Sequence, residues 1–268
     1  MSGADRSSAA SPALHLRQIC LVAADMPAVR ADLETVFATP VCHIDPGVAK
    51  FGLENILIAF GSQFLEVVAP IREGTAAGRF LDRRGDGGYM VITQVTDKAD
   101  QEAVRANAAT HGVRVAYDSD RGPWHLMQLH PADMGAAFLE VEWDDVGDVT
   151  GHWNPAGGTE WQDTPPSDSV TAIAAVELQS DDPATLAAHW GAVTGLPVAL
   201  RDGHPQIDLA NAALRFVRAE DGRGASLAAL DLAVTDPDAI TAAARARGLP
   251  ATDRQVTVCG TRFNLIAR

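Results

Sequence analysis

Apolar residues recur at two periods along this chain, and the order in which those periods alternate predicts its architecture. Residues 16–23 form a short apolar run with one polar interruption of interest, Gln18, and end at Asp25 ahead of Pro27, an acidic cap before proline that marks a helix start. Val29, Leu33, Val36 and Phe37 then follow at helical spacing over residues 27–37. Residues 41–44 read as a strand, Asp45-Pro46-Gly47 as a turn, and residues 51–60 and 63–69 as a hairpin across Gly61-Ser62. The pattern is β-α-β-β-β. It recurs after a helical connection over residues 75–84: a strand at 89–95, a helix at 98–111 stopped by Gly112, and strands at 113–117, 125–129 and 136–143.

The second half repeats it again with less polar marking. A strand at 171–178 leads to a helix that starts at Asp182-Pro183 and ends by Gly195, followed by strands at 206–209 and 213–218. A strand at 228–234 leads to a helix that starts at Asp236-Pro237 and stops at Gly248, followed by strands at 255–259 and 262–267. The expected fold is α+β, with four βαβββ modules in tandem forming two domains. The expected boundaries are a disordered tail at 1–13, a first domain at 14–145 (modules 14–72 and 86–145), a linker at 146–168, and a second domain at 169–268 (modules 169–219 and 225–268). The linker is rich in Gly, Pro, Asp and Thr and carries Trp153 and Trp161, which serve either to anchor it to a domain surface or to lid a cavity.

Two strands share a motif. Phe64-Leu65-Glu66-Val67 returns as Phe138-Leu139-Glu140-Val141, and the separation of Gln18 from Glu66 nearly equals that of Met90 from Glu140. Alternation puts Phe64, Glu66 and Val68 on one face of their strand. A carboxylate on such a face is costly to bury unless a donor or a cation meets it. Two of them in matching places point to a site shared between the copies, the alternative being solvated strand residues. In the second half the matching positions hold Arg215 and Asn264, and those matching Gln18 are apolar.

Composition narrows the classes. With 35 acidic against 21 basic residues the formal charge is −14, which argues against nucleic acid and anionic membranes as partners. The 47% apolar fraction suffices for a core, and no apolar run approaches a membrane span. Cys20, Cys42 and Cys259 are far apart and read as reduced core residues, and a cytoplasmic location follows by default. Gly85-Asp86-Gly87-Gly88 lacks the spacing and the lysine of a phosphate loop, and no Ser-His-Asp arrangement can be argued from spacing. Arg79, Arg83 and Arg84 are either a solvated helix face or a hold for an anionic substrate tail.

Tandem β-α-β-β-β units, with a polar residue on the first strand and Glu on the last, resemble the vicinal oxygen chelate superfamily. That group includes glyoxalase I, epimerases, extradiol dioxygenases and bleomycin-resistance proteins. The local matches are Leu129-His130-Pro131-Ala132-Asp133-Met134-Gly135 running into Phe138-Leu139-Glu140, and Gly61 through Phe64-Leu65-Glu66 to Pro70. The resemblance implies paired units curved around a cavity, with a divalent ion (Mg, Mn, Fe, Co, Ni or Zn) held by Gln18, Glu66 and Glu140. Met90 stands where histidine is usual, and a thioether is a poor ligand for a hard cation. The resemblance further implies Glu140 and Glu66 as catalytic acid–base residues and Met90, Phe64, Phe138, His130 and His125 as contacts to a small-molecule ligand. His130 lies at a turn, and His125 lies in a strand whose inward face the sequence leaves open.

Two functions follow as expectations. The first is a metal-dependent lyase or isomerase working through an enolate-type intermediate. The second is a metal-free small-molecule binding protein of the bleomycin-resistance type, which Met90 favours. An extradiol dioxygenase is disfavoured for want of two histidines. With four units in one chain, a monomer or a homodimer is expected.

Overall fold

The computed structural model describes residues 11–268. The tail expected at 1–13 lies, for residues 1–10, outside them. The chain begins β1 (His15–Val22), α1 (Met26–Val36), β2 (Val41–His43), β3 (Leu53–Phe60) and β4 (Gln63–Pro70), with a 3-10 turn at Pro46–Phe51 between β2 and β3. After α2 (Ala76–Arg84) come β5 (Gly87–Val95), α3 (Lys98–Thr110), β6 (Val115–Asp120), β7 (Trp124–Leu129), the short α4 (Pro131–Met134) and β8 (Phe138–Asp144). Past the linker follow β9 (Val170–Ser180), α5 (Pro183–Thr194), β10 (Val198–Arg201), β11 (His204–Asp208) and β12 (Ala213–Arg218). The last run is β13 (Ser226–Val234), α6 (Pro237–Ala246), β14 (Gln255–Val258) and β15 (Thr261–Ala267).

The helix after each first strand starts the same way. Asp25, Asp97, Asp182 and Asp236 accept from the backbone N–H of Ala28, Ala99, Thr185 and Ala239 respectively, which satisfies a donor that the helix itself cannot. Two differences from the expected elements have local causes. β10 falls where no strand was expected: Val198 and Leu200 are exposed on an edge strand, and so give no buried alternation to read. The fourth run has two strands after its helix rather than three. Where the missing strand would lie, only a single bridge from Ala251 to Val256 forms, directly after Pro250, which has no N–H to offer a ladder.

All fifteen strands join one sheet, with a path β10-β11-β12-β9-β13-β5-β1-β4-β3-β2 from which β6–β8 and β14–β15 branch. At its centre β1 runs antiparallel to β5 and parallel to β4, while β8 runs parallel to β5. One face is dry. There α1 packs against α6 and α3 against α5, over a core that includes Leu33, Phe37, Val104, Trp190 and Phe263. The opposite, concave face of β1–β5 and β7–β8 carries Cys20, Phe64, Met90, Ile92 and Phe138, and onto it the linker sets Trp153 and Ala156.

Candidate functional site

Two β-bulges shape the concave face. Between β1 and β5 the register slips at Arg17 and again at Tyr89. A bulge turns successive residues toward one side, so Arg17 and Gln18 both reach the linker, and Tyr89 and Met90 both line one cavity. That cavity, about 620 Å³, is lined at its floor by Gln18, Cys20, Glu66, Glu140 and Glu142, and along its walls by Met90, Ile92, Leu126 and Phe138.

The two matching glutamates come from opposite sides of the β1–β5 pair. Glu66 lies beside Cys20 on the parallel β4, and Glu140 beside Ile92 on the parallel β8. Asn55 on β3 donates to Glu66 Oε1 at 2.7 Å and Gln18 donates to Oε2 at 2.8 Å. Across the cavity, Gln128 donates to Glu140 Oε2 at 2.6 Å, and Trp124 donates its indole N–H to Glu142 Oε2 at 2.6 Å. Glu142 Oε1 is buried and meets no donor. Burial pushes all three carboxyl groups above the usual range; Glu142 is pushed furthest, its burial reinforced by Glu140 next to it. The charge of each acid opposes ionisation of the other, two residues along one strand face. A proton held between them would satisfy the oxygen that no donor reaches.

The linker completes the wall. Trp153 is fully buried, and its indole N–H donates to Gln18 Oε1 at 2.8 Å. Trp161 packs edge-on against Phe64, ring centroids 5.1 Å apart. Both tryptophans therefore anchor the linker to this face, and Pro155 between them lines the cavity. Arg17, also fully buried, donates to the carbonyls of Ser62, Asp148 and His152 and to the Gln94 side chain, with its guanidinium 4.8 Å over Trp153. Burial lowers its pKa to about 10.

The sequence profile of the glyoxalase-like domain matches residues 19–194, and a second glyoxalase-like profile matches residues 175–258. The chain belongs to the glyoxalase-like family. Its fold is that of the vicinal oxygen chelate superfamily. A hypothetical protein from Staphylococcus aureus, 12% identical, superposes over 95% of this chain and 99% of its own with a TM-score of 0.65. The methylmalonyl-CoA epimerase of Mycobacterium tuberculosis, 22% identical, covers 52% of this chain and 93% of its own at a TM-score of 0.43. A variant of the Streptomyces coelicolor methylmalonyl-CoA epimerase in complex with 2-nitronate-propionyl-CoA, also 22% identical, covers 50% and 96% at 0.42. Among curated proteins no relative matches.

The metal that this glyoxalase-like fold implies does not fit the donors as they stand. An indole N–H can only donate, so Trp153 fixes the Gln18 oxygen toward itself and turns the amide NH₂ toward Glu66. The amide oxygen needed for a ligand thus already carries one hydrogen bond, as does each oxygen of Glu66, and a cation would compete with these buried donors for them. Met90 adds a soft sulfur where a hard cation needs oxygen or imidazole. Among the described residues no three His, Cys, Asp or Glu side chains are grouped as a metal would require.

Gln18, Glu66, Met90, Glu140, Phe138 and His130 all line the cavity. His130 does so as the N-cap of α4, its Nδ1 accepting from Ala132 N–H at 3.2 Å. Phe64 shares the concave face but is covered by Trp161. His125 is a correction. On β7 it alternates with Leu126 and Gln128, which face the cavity, so its ring turns to the other face, 4.8 Å from Trp143 and 3.3 Å from Asp120. Arg79, Arg83 and Arg84 donate to backbone carbonyls, Arg84 to those of Arg223 and Ala225 in the second half. In that half Arg215 is closed into a network, 2.8 Å from Glu177 and 2.7 Å from Asp231, with Asn264 donating to Asp231. Its polar groups answer one another. Sequence reasoning missed Asn55, Gln128, Trp124 and Glu142, although the alternation that marks Glu140 as inward marks Glu142 as well.

Proposed function

We propose that the cavity of the first half takes a small carbonyl compound and moves a proton at the carbon next to its carbonyl, an isomerase-type reaction carried by Glu140 and Glu142. The observation that supports this most is the donor-free, buried Oε1 of Glu142 beside Glu140. A pair that holds one proton contains a base and an acid together at neutral pH, the condition that general acid–base catalysis needs. Glu140 as carboxylate accepts the C–H proton, and the electron pair moves to the carbonyl oxygen. A neutral carboxylic acid in a dry site donates a hydrogen bond to that developing enolate. The same carbon then takes a proton either back from the pair or, on its other face, from a protonated Glu66, in which case Glu140 loses its proton to solvent and Glu66 regains one before the next turnover; the face of delivery sets the product's stereochemistry. No step requires a metal.

Binding without turnover is the second reading, favoured by the apolar wall of Met90, Ile92, Leu126 and Phe138. One experiment separates the two. Chelator-treated protein is incubated in D₂O with a panel of 2-substituted carbonyl compounds, and loss of the α-proton signal is followed by NMR. Proton-transfer chemistry predicts exchange in the wild type and a loss of at least about 100-fold in Glu140→Gln. Binding with no exchange across the panel supports the second reading and ends the first.

A further inference from the structure

In a chain of charge −14, three cations collect at the mouth of this one cavity: Lys50 on the 3-10 turn before β3, Arg72 just after β4, and Arg121 between β6 and β7. Among the described residues none of the three pairs with a carboxylate, unlike Arg30, Arg105, Arg114, Arg201 and Arg245, and none is taken up by backbone carbonyls as Arg79, Arg83, Arg84 and Arg223 are. The Lys50 ammonium instead donates to the Tyr117 hydroxyl at 3.0 Å and lies 4.5 Å over Phe51. The Arg121 guanidinium lies 5.1 Å over Trp124 and donates to Ser119 Oγ. Asp45, which also lines the cavity, accepts from the Gly47 N–H.

Trp124 connects mouth to floor. Its ring lies beneath Arg121, and its indole N–H donates to Glu142. A molecule that meets Arg121 and the carboxyl pair at once therefore needs to span little more than one indole. The chemistry at its two ends is fixed by what waits there: an anion at the mouth and a hydrogen-bond-accepting oxygen at the floor.

We infer that the ligand is a short carbonyl compound carrying a carboxylate or a phosphate a few atoms from its carbonyl, with the anion docked on Lys50, Arg72 and Arg121. The floor contact rests on the proton-transfer reading above; the mouth contact does not. A neutral or cationic ligand, of the kind a resistance protein sequesters, leaves these three cations unanswered.

The test compares matched probes by calorimetry: levulinate against methyl levulinate for the carboxylate, and dihydroxyacetone phosphate against dihydroxyacetone for the phosphate. The wild type should bind the charged member of at least one pair ten-fold more tightly than its neutral partner, and whichever pair shows this names the anion. Added salt should narrow the gap, since exposed charges are screened. Lys50→Ala/Arg72→Ala/Arg121→Ala should erase the preference, and Glu140→Gln should keep it while losing α-proton exchange. Equal binding of charged and neutral partners, binding of none of the four, or a preference unchanged in the triple variant overturns the inference. An anion preference without exchange would instead leave it standing and defeat the proton-transfer reading.

Discussion

Glu142 shows how much one buried oxygen decides. It lies two residues beyond Glu140 on the same strand face, 2% exposed, with one oxygen bonded to Trp124 and the other facing no donor. Its folded-state pKa is raised above the unfolded value, chiefly by burial and next by Glu140. The stability it contributes is therefore fully present below the ordinary carboxylate range and is lost as the pH climbs through the raised folded value. Glu142→Gln keeps a donor toward Glu140 and cannot titrate. Urea unfolding from pH 5 to pH 9 should show the wild type weakening with alkali and the variant weakening less; parallel curves would mean that no proton is held there. Glu66 and Glu140 were legible in the sequence because each interrupts an apolar run. Glu142 was masked by the acidic stretch that it opens toward Asp144 and Asp145. His125 misled because a strand's inward face is set by its neighbour, and only the pairing of β7 with β8 fixes it.

At the scale of elements, the first strands, their Asp-capped helices and the hairpins were readable because each obeys a local rule: alternation, capping, turn chemistry. The linker was not. The bond from Trp153 to Gln18 joins residues 135 apart, and no periodicity announces it. Arg17 was equally silent, since a fully buried arginine clasping backbone carbonyls contradicts the usual exposure of its type. Trp153→Phe should leave the Gln18 oxygen buried without its donor and cost about 1–3 kcal/mol in chemical denaturation. The same substitution releases that oxygen. Trp153→Phe combined with Met90→His should therefore gain Co(II) binding, seen as a visible absorption band, that the wild type lacks. Binding of Co(II) by the wild type at this site would refute the argument that the linker occupies the ligand position.

At the scale of the molecule, the two halves meet through shared sheet and paired helices. β5 and β13 are neighbours in the sheet, where Gly88 takes the place opposite Leu227, and a side chain at Gly88 would strike the Leu227 backbone and side chain. Two hairpin turns repeat the theme. Gly61, between β3 and β4, abuts the Thr171 carbonyl, and Gly260, between β14 and β15, abuts that of Asp86; both have φ near +63°. Arg223 then ties the Gly260, Asp86 and Arg84 carbonyls together. Gly260→Ala should cost about 1–2 kcal/mol from the left-handed backbone alone, and more from the clash. Because the contact crosses between halves, the loss should lower one shared unfolding transition rather than split off one half, as calorimetry would show. No described helix is long and apolar enough to cross a membrane. The halves differ in how they place charge: the first keeps its acids facing a cavity, while the second closes Arg215 onto Glu177 and Asp231.

The central claim is that a proton is shared between Glu140 and Glu142 at neutral pH, and infrared spectroscopy reads it directly. The metal-stripped wild type at pH 7 should show the C=O stretch of a buried, protonated carboxylic acid, shifted in D₂O, and that band should vanish in Glu142→Gln. A wild-type spectrum with only ionised carboxylates at pH 7, or a band unchanged in the variant, would contradict the account.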